Sequence, residues 1–238
     1  MKLVLLPGLD GTGKLFAPIL PLLDDHDVVV MPLPQTGTQT YVELSQQVRS
    51  RLPREDFVLV AESFSGPIAA MIAKEGNSHL KGIVFVASFL SPPAPLLSRL
   101  ACLLPLTAMI NFPGSSLAIR FLCLGMDATD QMVVLFKNVA GLVPSRALKS
   151  RLRELGKFRL DFAQIATPAG QLVAKHDLLV GQRATESIVS VFPAIENHVL
   201  EGPHFLMQAK PERVADHIRR FVASVVSSDP FQSNAKDF

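Results

Sequence analysis

Val58-Leu-Val-Ala-Glu-Ser-Phe-Ser-Gly-Pro67 is the stretch on which the reading of this chain turns. An apolar, β-prone run at 57–61 stops at a serine among small residues, and a helical pattern at 67–74 begins at once. A strand that turns directly into a helix at a serine is the layout of a nucleophile elbow, G-x-S-x-G. Small residues there let the chain make a strained turn that leaves the hydroxyl exposed. In this chain Ala61 and Ser65 take the outer positions and Gly66 follows, so the turn stays sterically feasible around Ser63. The same turn leaves the Phe64 N–H at a helix N-terminus, where it can stabilise an oxyanion. An ordinary helix-capping serine would occupy the same place, so the motif needs partners elsewhere. Ser65 is the rival nucleophile, but inside the first helical turn it belongs to the packing of the elbow.

Working outward, short apolar runs at 3–6, 28–31, 57–61 and 83–87 alternate with helical patterns at 14–23, 41–52 and 67–74. Alternation resumes late, with strands at 171–174 and 197–200 and helices at 182–191 and 212–222. Continuous apolar strands separated by helices predict a parallel sheet covered on both faces. Between them, residues 91–160 hold Leu-rich helical segments cut by Pro92, Pro93, Pro95, Pro105, Pro113 and Pro144, with no strand pattern. The expected organisation is therefore an α/β core, residues 1–90 and 161–238, with a helical lid inserted at 91–160. The polar tail after Ser227 is expected to fray.

The glycine-rich loop Leu5-Leu-Pro-Gly-Leu-Asp-Gly-Thr-Gly-Lys14 follows the first strand. Such a loop can offer a second backbone N–H to a reacting carbonyl. It nearly spells a phosphate loop, Gly8 and then Gly13-Lys14, but Leu15 stands where that motif places its magnesium-binding Ser or Thr, which argues against nucleotide binding. Asp177 falls just beyond the 171–174 strand and His204 just beyond the 197–200 strand. A loop aspartate is ordinarily a cap and a lone histidine ordinarily structural. The order Ser, Asp, His at successive strand ends is what links them into a triad. His176 adjoins Asp177 but is misplaced as a base, and His26, His79, His198 and His217 lack a matching partner.

The segments LLPGLDGTG (5–13), AESFSG (61–66), AKHD (174–177) and EGPHFLMQAKPERV (201–214) resemble the corresponding blocks of α/β-hydrolases. That resemblance implies an α/β-hydrolase fold with a mostly parallel sheet of about six strands, the first two antiparallel strands of the fuller fold being absent. It implies Ser63 as nucleophile, Asp177 as orienting acid and His204 as base, with the Leu9 and Phe64 amides as oxyanion hole. No metal or organic cofactor is implied. Pro7-Gly8 replaces the His-Gly of many members, and Ala61 the first elbow glycine; neither change removes a reacting atom. The fold also hosts lyases, haloperoxidases, lipid and acyl hydrolases, acyltransferases and non-catalytic ligand-binding proteins.

Composition narrows the setting. The chain has 238 residues with a net charge of +2, which gives no global signature of nucleic-acid binding. Two cysteines, Cys102 and Cys123, without metal-ligand spacing fit free thiols in a reducing cytoplasm. The N-terminal apolar run is too short for a signal peptide, and no stretch reads as a membrane span, the apolar stretch 96–112 being broken by Pro105 and holding Arg99. Charge is unevenly spread, since residues 91–160 carry nine basic side chains against three acidic ones. On the helix expected at 145–155, Arg146, Lys149 and Arg153 share one face, and Leu148, Leu152 and Leu155 another. A solvated outer face would explain the charges. A docking surface for an acidic acyl carrier protein above an apolar acyl tunnel would explain them too, and an anionic membrane surface less well. In size and basic lid the chain is similar to esterases that cleave pimeloyl-acyl-carrier-protein methyl ester in biotin synthesis.

Overall fold

A computed structural model describes residues 1–93, 110–159 and 161–227. Most of the apolar stretch 96–112, Arg99, Cys102 and the polar tail lie outside the described residues. The six strands are β1 (Lys2–Leu6), β2 (Asp27–Val30), β3 (Phe57–Glu62), β4 (Leu80–Val86), β5 (Ala169–Ala174) and β6 (Glu196–Leu200). They form one sheet in the order β2-β1-β3-β4-β5-β6, and every neighbouring pair runs parallel.

The central strands β1, β3 and β4 read as nearly unbroken apolar runs because both their faces are buried, whereas the edge strand β6 is polar and largely exposed. Val4, Leu6, Leu59 and Ala61 point into one core, with Leu44, Ile68 and Ile188 from the helices α1 (Tyr41–Arg49), α2 (Gly66–Glu75) and α6 (Gln182–Val191). Leu3, Leu5, Val58 and Val60, one residue out of phase, point into the other, against Val214 and Ile218 of α8 (Pro211–Ser227). A period of two is thus preserved in space although both phases are apolar.

Residues 14–23 do not form the single helix that their apolar spacing suggests. They make two short 3₁₀ turns, Lys14–Phe16 and Leu20–Leu23. Pro18 and Pro21 explain the break: each lacks an amide hydrogen and its ring clashes with the preceding helical turn.

Between β4 and β5, the described residues form α3 (Ser115–Ile119), a π turn (Arg120–Leu124), α4 (Asp130–Leu142) and α5 (Ser145–Lys157). Thr129 caps α4 by accepting the Met132 N–H. Helix α5 is firmly seated: Leu152 and Leu155 belong to the first core, with Leu148 packed against it. The short α7 (Leu206–Ala209) follows the β6 loop. No helix of the described residues is long and apolar enough to cross a membrane.

Candidate active site

At the end of β3, Ser63 takes φ = 46°, in the left-handed region that side chains other than glycine avoid. The neighbours hold this strained turn. Ser88 Oγ donates to the Ser63 carbonyl at 2.7 Å. A Cβ on Gly66 would lie 2.0 Å from Ser88 Oγ and 3.0 Å from the Phe89 carbonyl, so the close approach made possible by glycine falls one position later than in the usual elbow. Ser65, where that elbow has its second glycine, is fully buried and its Oγ donates to the Pro7 carbonyl at 2.5 Å. The rival serine is thus a strut between the elbow and the glycine-rich loop.

Three strand ends bring the expected triad together. His204 Nε2 lies 2.9 Å from Ser63 Oγ, and Nδ1 lies 2.7 Å from Asp177 Oδ2. An ionised carboxylate only accepts, so Nδ1 carries the hydrogen and Nε2 is left to accept from the serine. The other oxygen, Asp177 Oδ1, accepts the N–H groups of Leu179 and Val180, both at 2.8 Å. This fixes the carboxylate plane from the side opposite the ring. The relay is dry, with His204 and Asp177 side chains 5% and 8% exposed. His176, by contrast, lies on the surface against Glu201, His79 pairs with Asp56, and His198 lies against His217 with the rings tilted.

The glycine-rich loop passes beside the elbow. The Gly8 carbonyl accepts the Gly11 N–H at 3.0 Å, and the Gly8 N–H donates to Glu62 Oε2 at 3.2 Å. Because the Gly8–Leu9 peptide is trans, its Leu9 N–H points opposite to the carbonyl that Gly11 holds. Among the described residues no backbone acceptor takes the Leu9 N–H. Lys14 is exposed and opens only a three-residue turn, and within the loop the Thr12 N–H is already taken by Asp10 Oδ2.

An apolar cavity of about 200 Å³ opens beside Ser63 and His204, walled by Phe64, Phe89, Leu152, Leu155, Leu179 and Phe205. No lysine or arginine lines it among the described residues. A second cavity of about 130 Å³, at the β5–β6 edge between His198 and His217, holds no nucleophile. No cluster of three or more His, Cys, Asp or Glu suited to a metal occurs among the described residues. Cys123 is free, and burial first, then the nearby Asp177, push its thiol up to about 12, far from a reactive thiolate.

Two residues at the site were not anticipated from sequence. Glu62 is buried, accepts from Gly8 and Gln208, and is pushed up to about 7, chiefly by burial and then by Asp10. Arg151, one of the nine basic residues of 91–160, turns inward and is fully buried. Its guanidinium donates to the carbonyls of Leu9, Asp10 and Pro34 and to Gln39 Oε1, at 2.8–2.9 Å. Sequence did hold a signal: Arg151 is in phase with Leu148, Leu152 and Leu155, and an arginine in a buried stripe must be paired. Arg146 and Arg153 are exposed and Lys149 half-buried, and none has an ion-pair partner among the described residues.

A model of the alpha/beta hydrolase family matches residues 3–217, so the chain belongs to that family. It is a hydrolase by that membership. Among solved structures, it is similar to an esterase from Exiguobacterium antarcticum (TM-score 0.78, 13% identity, covering 94% of this chain and 92% of that one). It also resembles a hydrolase from Pseudomonas aeruginosa PA01 (TM-score 0.77, 15% identity, 93% and 89% covered). MenH from S. aureus is a third such likeness (TM-score 0.75, 14% identity, 95% and 94% covered). At these identities the likeness concerns the fold. No curated protein matches the sequence.

Proposed function

We propose that this protein is a serine esterase that cleaves a carboxylic ester or thioester through an acyl-enzyme. The observation that carries the reading is the dry relay Ser63–His204–Asp177, at 2.9 and 2.7 Å, at the mouth of an apolar cavity. His204 Nε2 takes the Ser63 proton as Oγ adds to the acyl carbon, and Asp177 stabilises the imidazolium that results. The Leu9 and Phe64 amides bind the tetrahedral oxyanion. His204 then returns the proton to the departing alcohol or thiol, and water repeats the sequence on the acyl-enzyme. No cofactor enters these steps.

The cavity favours a neutral, apolar acyl group, since its described walls offer no cation to an acidic substrate. On that basis an esterase is preferred to chemistry on a charged small acid. An acyltransferase would use the same relay and differ only in its acceptor. A non-catalytic binding protein would have no use for a strained serine at φ = 46°.

The proposed substrate is an acyl chain carried by an acyl carrier protein, such as pimeloyl-acyl-carrier-protein methyl ester. The insertion expected at 91–160 would serve as the lid, and Arg146, Lys149 and Arg153 as the docking face. Their charges on one side of α5, without an ion-pair partner among the described residues, suit an acidic partner. The free Cys123 is compatible with a cytoplasmic setting.

A turnover screen on p-nitrophenyl esters, lipids, thioesters and carrier-bound methyl esters tests both levels. Reversing the charges of Arg146, Lys149 and Arg153 is expected to raise KM for a carrier-bound ester, with a rate that falls as salt rises. Hydrolysis of a small neutral ester should barely change. Equal effects on both substrates would remove the carrier protein from the account and leave the esterase.

A further inference from the structure

Four consecutive peptide groups of the loop after β1 are held from two opposite sides. On the N-terminal side, the residues flanking the proposed nucleophile grip the Pro7–Gly8 peptide at both ends. Ser65 Oγ donates to the Pro7 carbonyl and Glu62 Oε2 accepts the Gly8 N–H. On the C-terminal side, Arg151 Nη1 donates to the Leu9 carbonyl at 2.9 Å and the Asp10 carbonyl at 2.8 Å. Between these grips lies the Gly8–Leu9 peptide, whose carbonyl Gly11 holds and whose Leu9 N–H has no backbone acceptor among the described residues.

Arg151 is itself fixed. Its Nε donates to Gln39 Oε1 and its Nη2 to the Pro34 carbonyl. Every arm of the guanidinium fork is therefore engaged, and a lysine could not reproduce the set. The loop is fitted closely to this group: a Cβ on Gly11 would lie 2.3 Å from Arg151 Nη1, and Gly11 also has φ = 68°. Glycine at position 11 answers both to the turn and to the arginine.

We infer that Arg151 is a positioning residue for the oxyanion hole, setting the peptide planes that aim the Leu9 N–H at the developing oxyanion on the Ser63 adduct. The inference rests on the serine-esterase reading. It gives a helix of the insertion a part in the chemistry without touching substrate. A guanidinium that merely fastened α5 to the core would act like Glu154, whose Oε1 accepts the Tyr41 N–H at 3.2 Å and does not reach the loop.

That contrast supplies the test. Ester kinetics are measured on the full chain and on Arg151→Ala, Arg151→Lys and Glu154→Ala, together with inhibition by an apolar trifluoromethyl ketone. In that adduct Ser63 Oγ bonds to the carbonyl carbon, its proton passes to His204, and the π pair becomes an oxyanion, so its affinity reports on the hole. Arg151→Ala is expected to lower kcat by about 10²-fold, the scale of a small misplacement of a reacting group. Ketone affinity should fall in parallel, with KM within about threefold of the parent. Millimolar guanidinium ion should restore part of both in Arg151→Ala, whereas Glu154→Ala should change neither and respond to no added ion. Arg151→Lys keeps the charge but not the fork, and its loss should be at least tenfold; it carries the test if the alanine variant does not fold. Parental kcat and ketone affinity in folded Arg151 variants, or losses shared by Glu154→Ala without guanidinium rescue, would overturn the inference. A parent protein that neither turns over esters nor binds the ketone would instead remove the esterase reading, and this inference with it.

Discussion

Replacing Asp177 by asparagine separates the geometry of the relay from its charge. Asp177 Oδ1 accepts two N–H groups, from Leu179 and Val180, while Oδ2 faces His204 Nδ1. An asparagine amide has one acceptor oxygen and one donor nitrogen. The two backbone donors would claim the oxygen, which turns the NH₂ group toward Nδ1. Nδ1 must then accept, the ring hydrogen moves to Nε2, and that nitrogen can no longer take the Ser63 proton. The packing is unchanged and both backbone N–H groups stay satisfied, so the melting temperature should move by only a few degrees. The rate should not survive. A ring held in the wrong tautomer lowers kcat by about 10⁴-fold in a triad of this kind, or about 5.5 kcal/mol of transition-state stabilisation. The assay is steady-state hydrolysis of a p-nitrophenyl ester, with circular dichroism as the fold control. A folded Asp177→Asn variant retaining more than a tenth of parental kcat would refute the assignment of His204 as a base oriented by Asp177.

Other outcomes follow from the neighbours of the relay. Ser65→Ala removes the strut to the Pro7 carbonyl and should destabilise the fold by about 1–2 kcal/mol in urea titration, lowering ester turnover through the loosened loop without abolishing it; an inactive Ser65→Ala beside an active Ser63→Ala would show that the serines had been exchanged. Glu62, raised from 4.5 to about 7, keeps a proton in the folded chain that the unfolded chain releases between those values. Its contribution is therefore complete below pH 4.5 and is lost as pH rises through 7, by up to about 3 kcal/mol. Glu62→Gln should flatten that slope, and parallel stability profiles for parent and variant at pH 5 and pH 8 would contradict it.

Much of this was legible in the sequence for identifiable reasons. Strands buried on both faces are continuous apolar runs, so 57–61 and 83–87 announce themselves without alternation. Ser63, Asp177 and His204 could be proposed together because each follows the end of an expected strand, and parallel strands bring such ends to one edge of the sheet. Periodicity failed where proline intervened, at 14–23. Charge alone also misleads where a basic residue lies in phase with an apolar stripe. Arg151 sits on the Leu148–Leu155 stripe, and four acceptors scattered over positions 9, 10, 34 and 39 hold it inside. Nothing local to Arg151 foretells those partners. Glu62 was similarly hidden by the motif around it: its acceptor role depends on a loop 54 residues earlier in the chain.

The central claim, that Ser63 is an activated nucleophile, is tested most directly by reacting the native protein with a fluorophosphonate probe and locating the adduct by peptide mass spectrometry. The account predicts one stoichiometric adduct, on Ser63, abolished in Ser63→Ala and strongly slowed in His204→Ala. An adduct on Ser65, or no adduct on correctly folded protein, would contradict it.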